Sequence, residues 1–205
     1  MIKVLHGGHW NTQIDGWINM PEQDQDITKR LKFDDAQVDV IFNEHTWEHI
    51  TLIDAINYAK ECFRVLKIGG VLRIATPTVD KLIQLKNDKL GKHYSDVQTR
   101  HYYPNEDAAL KELGLEGIRE EPIAFMMDSL FKGHNHRFLW TSELLKNVLV
   151  KIGFSEVHIV EPGETNWDKS NCLERTIRGV DPEYTLKEFG VTKYDPETSV
   201  IEAKK

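Results

Sequence analysis

The segment 44–49 concentrates potential chemistry, with two glutamates and two histidines in six residues. His45, Glu48 and His49 form the pattern H-x-x-E-H. Two histidines four residues apart share one face of a helix and can bind one zinc ion, with the glutamate as general base. Short patterns of this kind also arise by chance, and this one lies at a strand-to-helix junction. A zinc hydrolase is therefore only a minor alternative.

A second histidine pair, His134 and His136, follows Gly133 late in an aromatic-rich segment. This alternation suits a general base, a metal pair or simple loop packing. The segment as a whole, about residues 91–140, is too long for a plain connection between elements. An insert of this size usually forms a lid or a binding region, so we expect it to cover an acceptor site.

Glycines and acids near the N-terminus suggest a nucleotide-type cofactor. Gly7 and Gly8 follow a short apolar strand, where backbone N–H groups can approach a cofactor closely. Such sites commonly place a carboxylate after the second strand, to accept hydrogen bonds from ribose hydroxyls. Glu22 could serve this role or be a solvated loop residue.

The elements that would position these groups are most evident in the middle of the chain. An apolar strand, Val38–Phe42, precedes an amphipathic helix over about 50–66. Gly69 and Gly70 should end that helix, and a buried strand should follow over Val71–Ala75. This is a βαβ unit, and ligands bind at the carboxyl ends of such strands. Further strands are expected at 2–5, 16–20, 154–160 and 199–203, and further helices at 79–90 and 141–152.

Composition limits the class of protein. The 205 residues suit one domain, and 40% hydrophobic with 29% charged residues is ordinary for a globular protein. A net charge of −7 argues against nucleic acid or an anionic membrane as the main partner. The N-terminus has no signal-peptide pattern, so we expect a cytoplasmic protein, with Cys62 a core residue rather than half of a disulfide.

The central block also carries a family resemblance. Val38–Phe42, then E-H-x-x-E-H, then F-R-V-L-K-x-G-G-x-L-R-I-x-x-P resembles the class I S-adenosylmethionine-dependent methyltransferases. It is most similar to small predicted methyltransferases of the methyltransferase type 11 kind. The resemblance implies a Rossmann-like, mostly parallel α/β sheet with helices on both faces and an antiparallel last strand. It also implies S-adenosylmethionine as cofactor and a single domain over 1–205.

The same resemblance assigns residue roles. The positions expected to bind the cofactor are Gly7, Gly8, Glu22, Asp26, Ile27, Asn43, Glu44 and His45. Pro21 stands where the family has its ribose-binding aspartate, which is why Glu22 is the substitute. Glu48 and His49 would brace the start of the helix without a metal. His134 and His136 would face the acceptor as candidate catalytic bases.

The expected function is methyl transfer to a small-molecule or glycan-type acceptor, with no nucleic-acid or membrane partner. Because fold does not specify an acceptor, the sequence leaves its identity open, along with the oligomeric state. A non-catalytic binding protein of the same fold is the main alternative, suggested by the short glycine loop and Pro21.

Overall fold

The computed structural model describes residues 1–7, 13–20, 26–85, 106–115, 122–174 and 197–205. Its centre is a six-stranded sheet in the order β2-β1-β3-β4-β6-β5. The strands are β1 Lys3–Gly7, β2 Ile18–Met20, β3 Val38–Glu44, β4 Leu66–Pro77, β5 Glu156–Val160 and β6 Thr198–Lys204. The first four strands pair in parallel, and β6 runs antiparallel to both of its neighbours, β4 and β5. The predicted mostly parallel α/β sheet with an antiparallel last strand is confirmed.

Helix α1, Leu52–Val65, connects β3 to β4 as predicted. It begins at Thr51, whose side chain accepts a hydrogen bond from the Asp54 backbone N–H at 3.2 Å. Its buried residues recur every three or four positions, and this spacing gives the helix one apolar face. They are Ala55, Tyr58, Ala59, Cys62 and Val65. Cys62 is a free, buried thiol, in agreement with the expectation of a core residue.

The expected glycine stop after this helix is wrong. The helix ends at Val65, and β4 already begins at Leu66. Gly69 has a φ of 79° and lies within the extended run, where the register against β3 shifts. A side chain on Gly70 would lie 2.9 Å from the Lys67 carbonyl oxygen. The two glycines therefore form a bulge in the strand, where a left-handed residue and a close backbone contact both favour glycine.

The other α-helices in the described part of the chain are α2 Val79–Leu85, α3 Glu106–Glu112, α4 Pro122–Asp128 and α5 Ser142–Ile152, with a π turn at Ser129–Gly133. Helices α1 and α5 pack on one face of the sheet, where they share the main hydrophobic core with strand residues such as Ile41 and Ile201. On the opposite face, Leu5 and Phe42 form a smaller cluster. Within the described ranges, no helix combines the length and apolar character needed to cross a membrane.

Alternation along the central strands also places charge inside the protein. Arg73 on β4 is fully buried on the face of the smaller cluster. Its guanidinium donates to Glu174 at 2.6 Å, to Glu202 at 2.5 Å and to the Glu164 carbonyl oxygen at 2.9 Å. This buried ion cluster joins β4, β6 and the segment after β5, because none of these charges can be left without partners in the interior.

Candidate functional site

The carboxyl ends of β1, β3 and β4 meet at one edge of the sheet. His6 pairs with Asn43 and Gly7 with Glu44, while Glu44 also pairs with Ala75. The strand order thus brings together the residues that the βαβ argument placed on a functional edge. At this edge, the predicted residues 43–45 lie directly beside the end of β1.

Asn43 is fully buried in a polar network rather than facing an open cleft. Its Nδ2 donates to the Tyr58 hydroxyl at 2.7 Å, and its Oδ1 accepts from Trp47 Nε1 at 3.2 Å. The same hydroxyl contacts His6 Nδ1, and His6 Nε2 lies 3.3 Å from Met20 Sδ. Burial lowers the pKa of His6 to about 4, so the ring is neutral at pH 7. The network fixes the ends of β1 and β3 relative to α1.

Gly7 makes room for a neighbouring loop. Its φ is 75°, and a Cβ there would lie 1.9 Å from Thr46 Oγ1 and 2.9 Å from the Glu44 carbonyl oxygen. Any larger residue would displace the loop that follows β3. Packing against the loop that follows β3 is therefore sufficient to explain the glycine at the end of β1.

Glu48 lies at the centre of the site and is fully buried. Its Oε2 accepts from Thr76 Oγ1 at 2.8 Å, and its Oε1 lies 3.2 Å from His45 Nδ1. Burial by itself raises the pKa of this carboxyl, but the contact with His45 and the nearby rings of His136 and His49 lower it to about 2. Glu48 is therefore ionised at neutral pH.

Backbone hydrogen bonds attach the 134–140 segment to the same place. The backbone N–H groups of Arg137 and Phe138 donate to the Glu48 carbonyl oxygen at 2.7 and 3.2 Å. This connection places His136, which is 5% exposed, against the 3₁₀ turn Trp47–His49. The ring centroids of His136 and His49 are 4.7 Å apart.

The two predicted histidines of this segment do lie together. The rings of His134 and His136 stack with centroids 5.4 Å apart and planes at 27°. Burial lowers the pKa of His136 to about 3, against the opposing influence of Glu48. His134 is only partly buried. The sequence predicts this pair but not its contact with Glu48 and His49, because nothing in the residue spacing joins the two segments.

The zinc-hydrolase alternative is not supported by this geometry. His45 has a φ of 47° and precedes the short turn Trp47–His49. His45 and His49 therefore do not lie on one face of a continuous helix, as the H-x-x-E-H arrangement requires.

The other predicted cofactor residues are more dispersed. Asp26 is exposed, and its carboxylate accepts from the Thr28 N–H at 2.9 Å and the Thr28 hydroxyl at 2.6 Å, which lowers its pKa. Ile27 packs against the main core and lines a groove beside α1. Glu44 is buried at the end of β3. Gly8 and Glu22 lie outside the described residues.

Residues 12–74 match a family model described as a methyltransferase domain. That range contains β2, β3, α1 and most of β4, and so the strand ends at the site. This segment is similar in sequence to methyltransferase domains. The family resemblance that the sequence indicated is confirmed over these residues.

Individual relatives match over different lengths. A Mycolicibacterium smegmatis protein named as a probable S-adenosylmethionine-dependent methyltransferase is 47% identical over 47 residues, which are 23% of this chain. The match spans only 18% of that relative's length. Among solved structures, a methyltransferase from Archaeoglobus fulgidus aligns over all of this chain and 86% of its own, with 17% identity and a TM-score of 0.49. Another from Mesorhizobium loti aligns over 95% and 72%, with 11% identity and a TM-score of 0.46.

Proposed function

We propose that this chain binds S-adenosylmethionine beside the carboxyl ends of β1, β2 and β3 and transfers its methyl group to a small-molecule or glycan-type acceptor. The observation that carries the proposal is the methyltransferase-domain match over residues 12–74, because that segment contains β2, β3 and the residues that follow their carboxyl ends. Parallel α/β sheets bind their ligands at this edge.

The described residues fit this cofactor to different degrees. Asp26 presents an exposed carboxylate that can accept hydrogen bonds from an adenine amino group, and Ile27 offers an apolar surface for the ring. The side chain of His45 is 19% exposed at the strand edge. Asn43 has both ends of its amide engaged by protein groups, so its proposed role is to hold β3 in place beside the cofactor. Gly7, Gly8, Glu22 and Glu44 complete the proposed cofactor-binding set.

S-adenosylmethionine, when bound, supplies a methyl group attached to a positively charged sulfonium sulfur, and that sulfur is the leaving group, as a neutral thioether. The protein's share of this displacement is to align the acceptor and exclude water. An acceptor hydroxyl or amine must also lose a proton, and His134 and His136 are the candidate bases. We favour His134, because it is partly exposed whereas His136 is buried against the Glu48 turn.

We infer that the 91–140 insert covers the acceptor. Two features of its described part support this. Its last residues are bound to the Glu48 turn, and Trp140 pairs with Thr78 directly after β4. The segment therefore ends at the strand edge where the cofactor is proposed to bind. A cover that opens for substrate should exchange its amide hydrogens faster than the strands do, and ligands should slow that exchange.

Calorimetric titration of the protein with S-adenosylmethionine and S-adenosylhomocysteine tests the cofactor site. Asp26→Asn should weaken binding by about ten- to a hundredfold, because a charged hydrogen-bond acceptor is lost. Asp168→Asn is a matched control, since Asp168 is equally exposed and accepts from the Ser170 N–H and hydroxyl in the same way. Saturating cofactor that gives no heat, or equal effects of the two variants, would contradict the proposal.

Turnover requires a second measurement. The purified chain should transfer a labelled methyl group from S-adenosylmethionine to acceptors in a panel of small hydroxyl, amine and glycan compounds. His134→Ala should reduce this turnover at least tenfold and leave cofactor affinity unchanged. Loss of cofactor binding in a folded His134→Ala protein would place this histidine at the cofactor instead. Cofactor binding without any transfer would favour the non-catalytic alternative.

A further inference from the structure

Three metal-ligating side chains converge from two separate segments of the chain. Glu48 and His49 belong to the turn after β3, and His136 belongs to the segment after α4. One potential ligand atom from each of the three lies within 4.8 Å of the other two. We propose that Glu48, His49 and His136 together bind a divalent first-row transition metal ion, and this proposal does not depend on the methyl-transfer activity.

A second observation points to the same ligand. His136 Nδ1 is buried, and no protein group among the described residues forms a hydrogen bond with it. The nearby Glu48 Oε1 is also buried and lies 3.2 Å from His45 Nδ1. A buried polar atom without a hydrogen bond is costly and rare in a native interior. A metal ion would use the lone pair of the His136 nitrogen and would bind the ionised Glu48 carboxylate.

The neighbouring groups already orient these donors. Thr76 donates to Glu48 Oε2, so a metal ion would bind Oε1, the oxygen that also contacts His45. The hydrogen bonds from Arg137 and Phe138 to the Glu48 carbonyl oxygen hold the turn and the His136 segment together. Such outer contacts fix the orientation of metal ligands and often decide their affinity.

The donor set indicates the class of metal. Two imidazole nitrogens and one carboxylate oxygen suit Zn²⁺ and similar transition ions, whereas Mg²⁺ and Ca²⁺ prefer oxygen donors. Bonds of about 2.1 Å in a tetrahedral site place ligand atoms about 3.4 Å apart, which is compatible with atoms that lie within 4.8 Å of one another. The exposed His49 side chain can adjust its position and leaves a path from solvent. Three protein ligands leave a fourth position open to water or to an acceptor oxygen.

The test uses tag-free protein that has been treated with a chelator and dialysed. Zn²⁺ is titrated by calorimetry, and Co²⁺ is followed by its visible absorption, whose intensity reports tetrahedral coordination. We expect one ion per chain and a zinc-dependent rise in melting temperature. His49→Ala, at an exposed position, should weaken zinc affinity at least tenfold, or about 1.4 kcal/mol, and remove the Co²⁺ spectrum. His136→Ala and Glu48→Gln should do the same where they fold.

Two control variants keep the result specific. His158→Ala changes a histidine on β5 that packs against Trp167, outside the cluster, and should bind zinc like wild type. His45→Ala removes the nearby histidine that the proposal leaves out of the ligand set, and it should retain the Co²⁺ spectrum. No saturable binding of either ion would overturn the proposal. Zinc affinity that is unchanged in His49→Ala would also overturn the proposal. The same holds for zinc affinity that is lost in His45→Ala but kept in His49→Ala.

Discussion

Acid should destabilise this protein through His6, and the size of the effect follows from its burial. The folded-state pKa is about 4, whereas an unfolded histidine titrates near 6.5. Between these values the unfolded chain binds the proton and the folded protein does not, so stability falls as pH drops below about 6.5 and levels off below about 4. The full difference corresponds to about 3 kcal/mol, of which about 2.5 kcal/mol should be lost by pH 4.5.

The experiment compares wild type with His6→Gln, which cannot titrate but can still form a hydrogen bond with Tyr58. Urea unfolding, followed by tryptophan fluorescence, gives the free energy of unfolding of each protein at pH 7.5 and pH 4.5. Other acids and histidines titrate in both proteins, so they cancel in the difference. Among the described residues, the ring nitrogens of His6 contact Tyr58 and Met20, and neither of these titrates in this range. Wild type should lose about 2.5 kcal/mol more than the variant. Equal losses, or an NMR titration of His6 near 6.5, would refute the reasoning.

Three further substitutions test the contacts that hold the site. Arg73→Met leaves the buried Glu202 and its neighbouring glutamate without a cation and should cost about 3–5 kcal/mol in unfolding free energy, whereas Lys81→Met at a more exposed ion pair should cost less than about 1 kcal/mol. Tyr58→Phe removes the hydroxyl shared by two buried partners and should cost about 2–4 kcal/mol in the same assay. Gly7→Ala should lower the melting temperature through both its positive φ and the contact with Thr46, and an unchanged value would exclude this packing role.

The sequence predicted the β3–α1–β4 unit well, because hydrophobic periodicity and burial describe the same faces. The helix expected over about 50–66 spans Leu52–Val65. The strand expected over Val38–Phe42 continues slightly further, to Glu44. The error lay at Gly69 and Gly70, which resemble a helix end locally. Pairing with β3 decided their conformation instead, and a glycine pair carries no local mark that separates a bulge from a helix stop.

The candidate site was predictable only in part. The edge that contains Asn43 and Gly7 follows from the rule for parallel strands, and the strand registers confirm it. The burial of the Asn43 side chain did not follow, since it depends on Tyr58 reaching across from α1. The proximity of Glu48 and His136 could not be predicted either. Backbone hydrogen bonds from Arg137 and Phe138 to Glu48 hold these two distant segments together, and residue types alone do not indicate such bonds.

Glu48 connects the two proposed sites, and this determines which substitutions can separate them. Its carboxylate contacts Thr76 at the end of β4 and His45 after β3, while its backbone carbonyl holds the segment that carries His134 and His136. A change at Glu48 would therefore disturb the strand edge, the proposed metal ligands and the proposed base together. Since His49 shares the metal cluster but is exposed, only its substitution isolates the metal from the edge. Cofactor affinity that stays constant in His49→Ala while zinc binding disappears would show that the two sites are distinct.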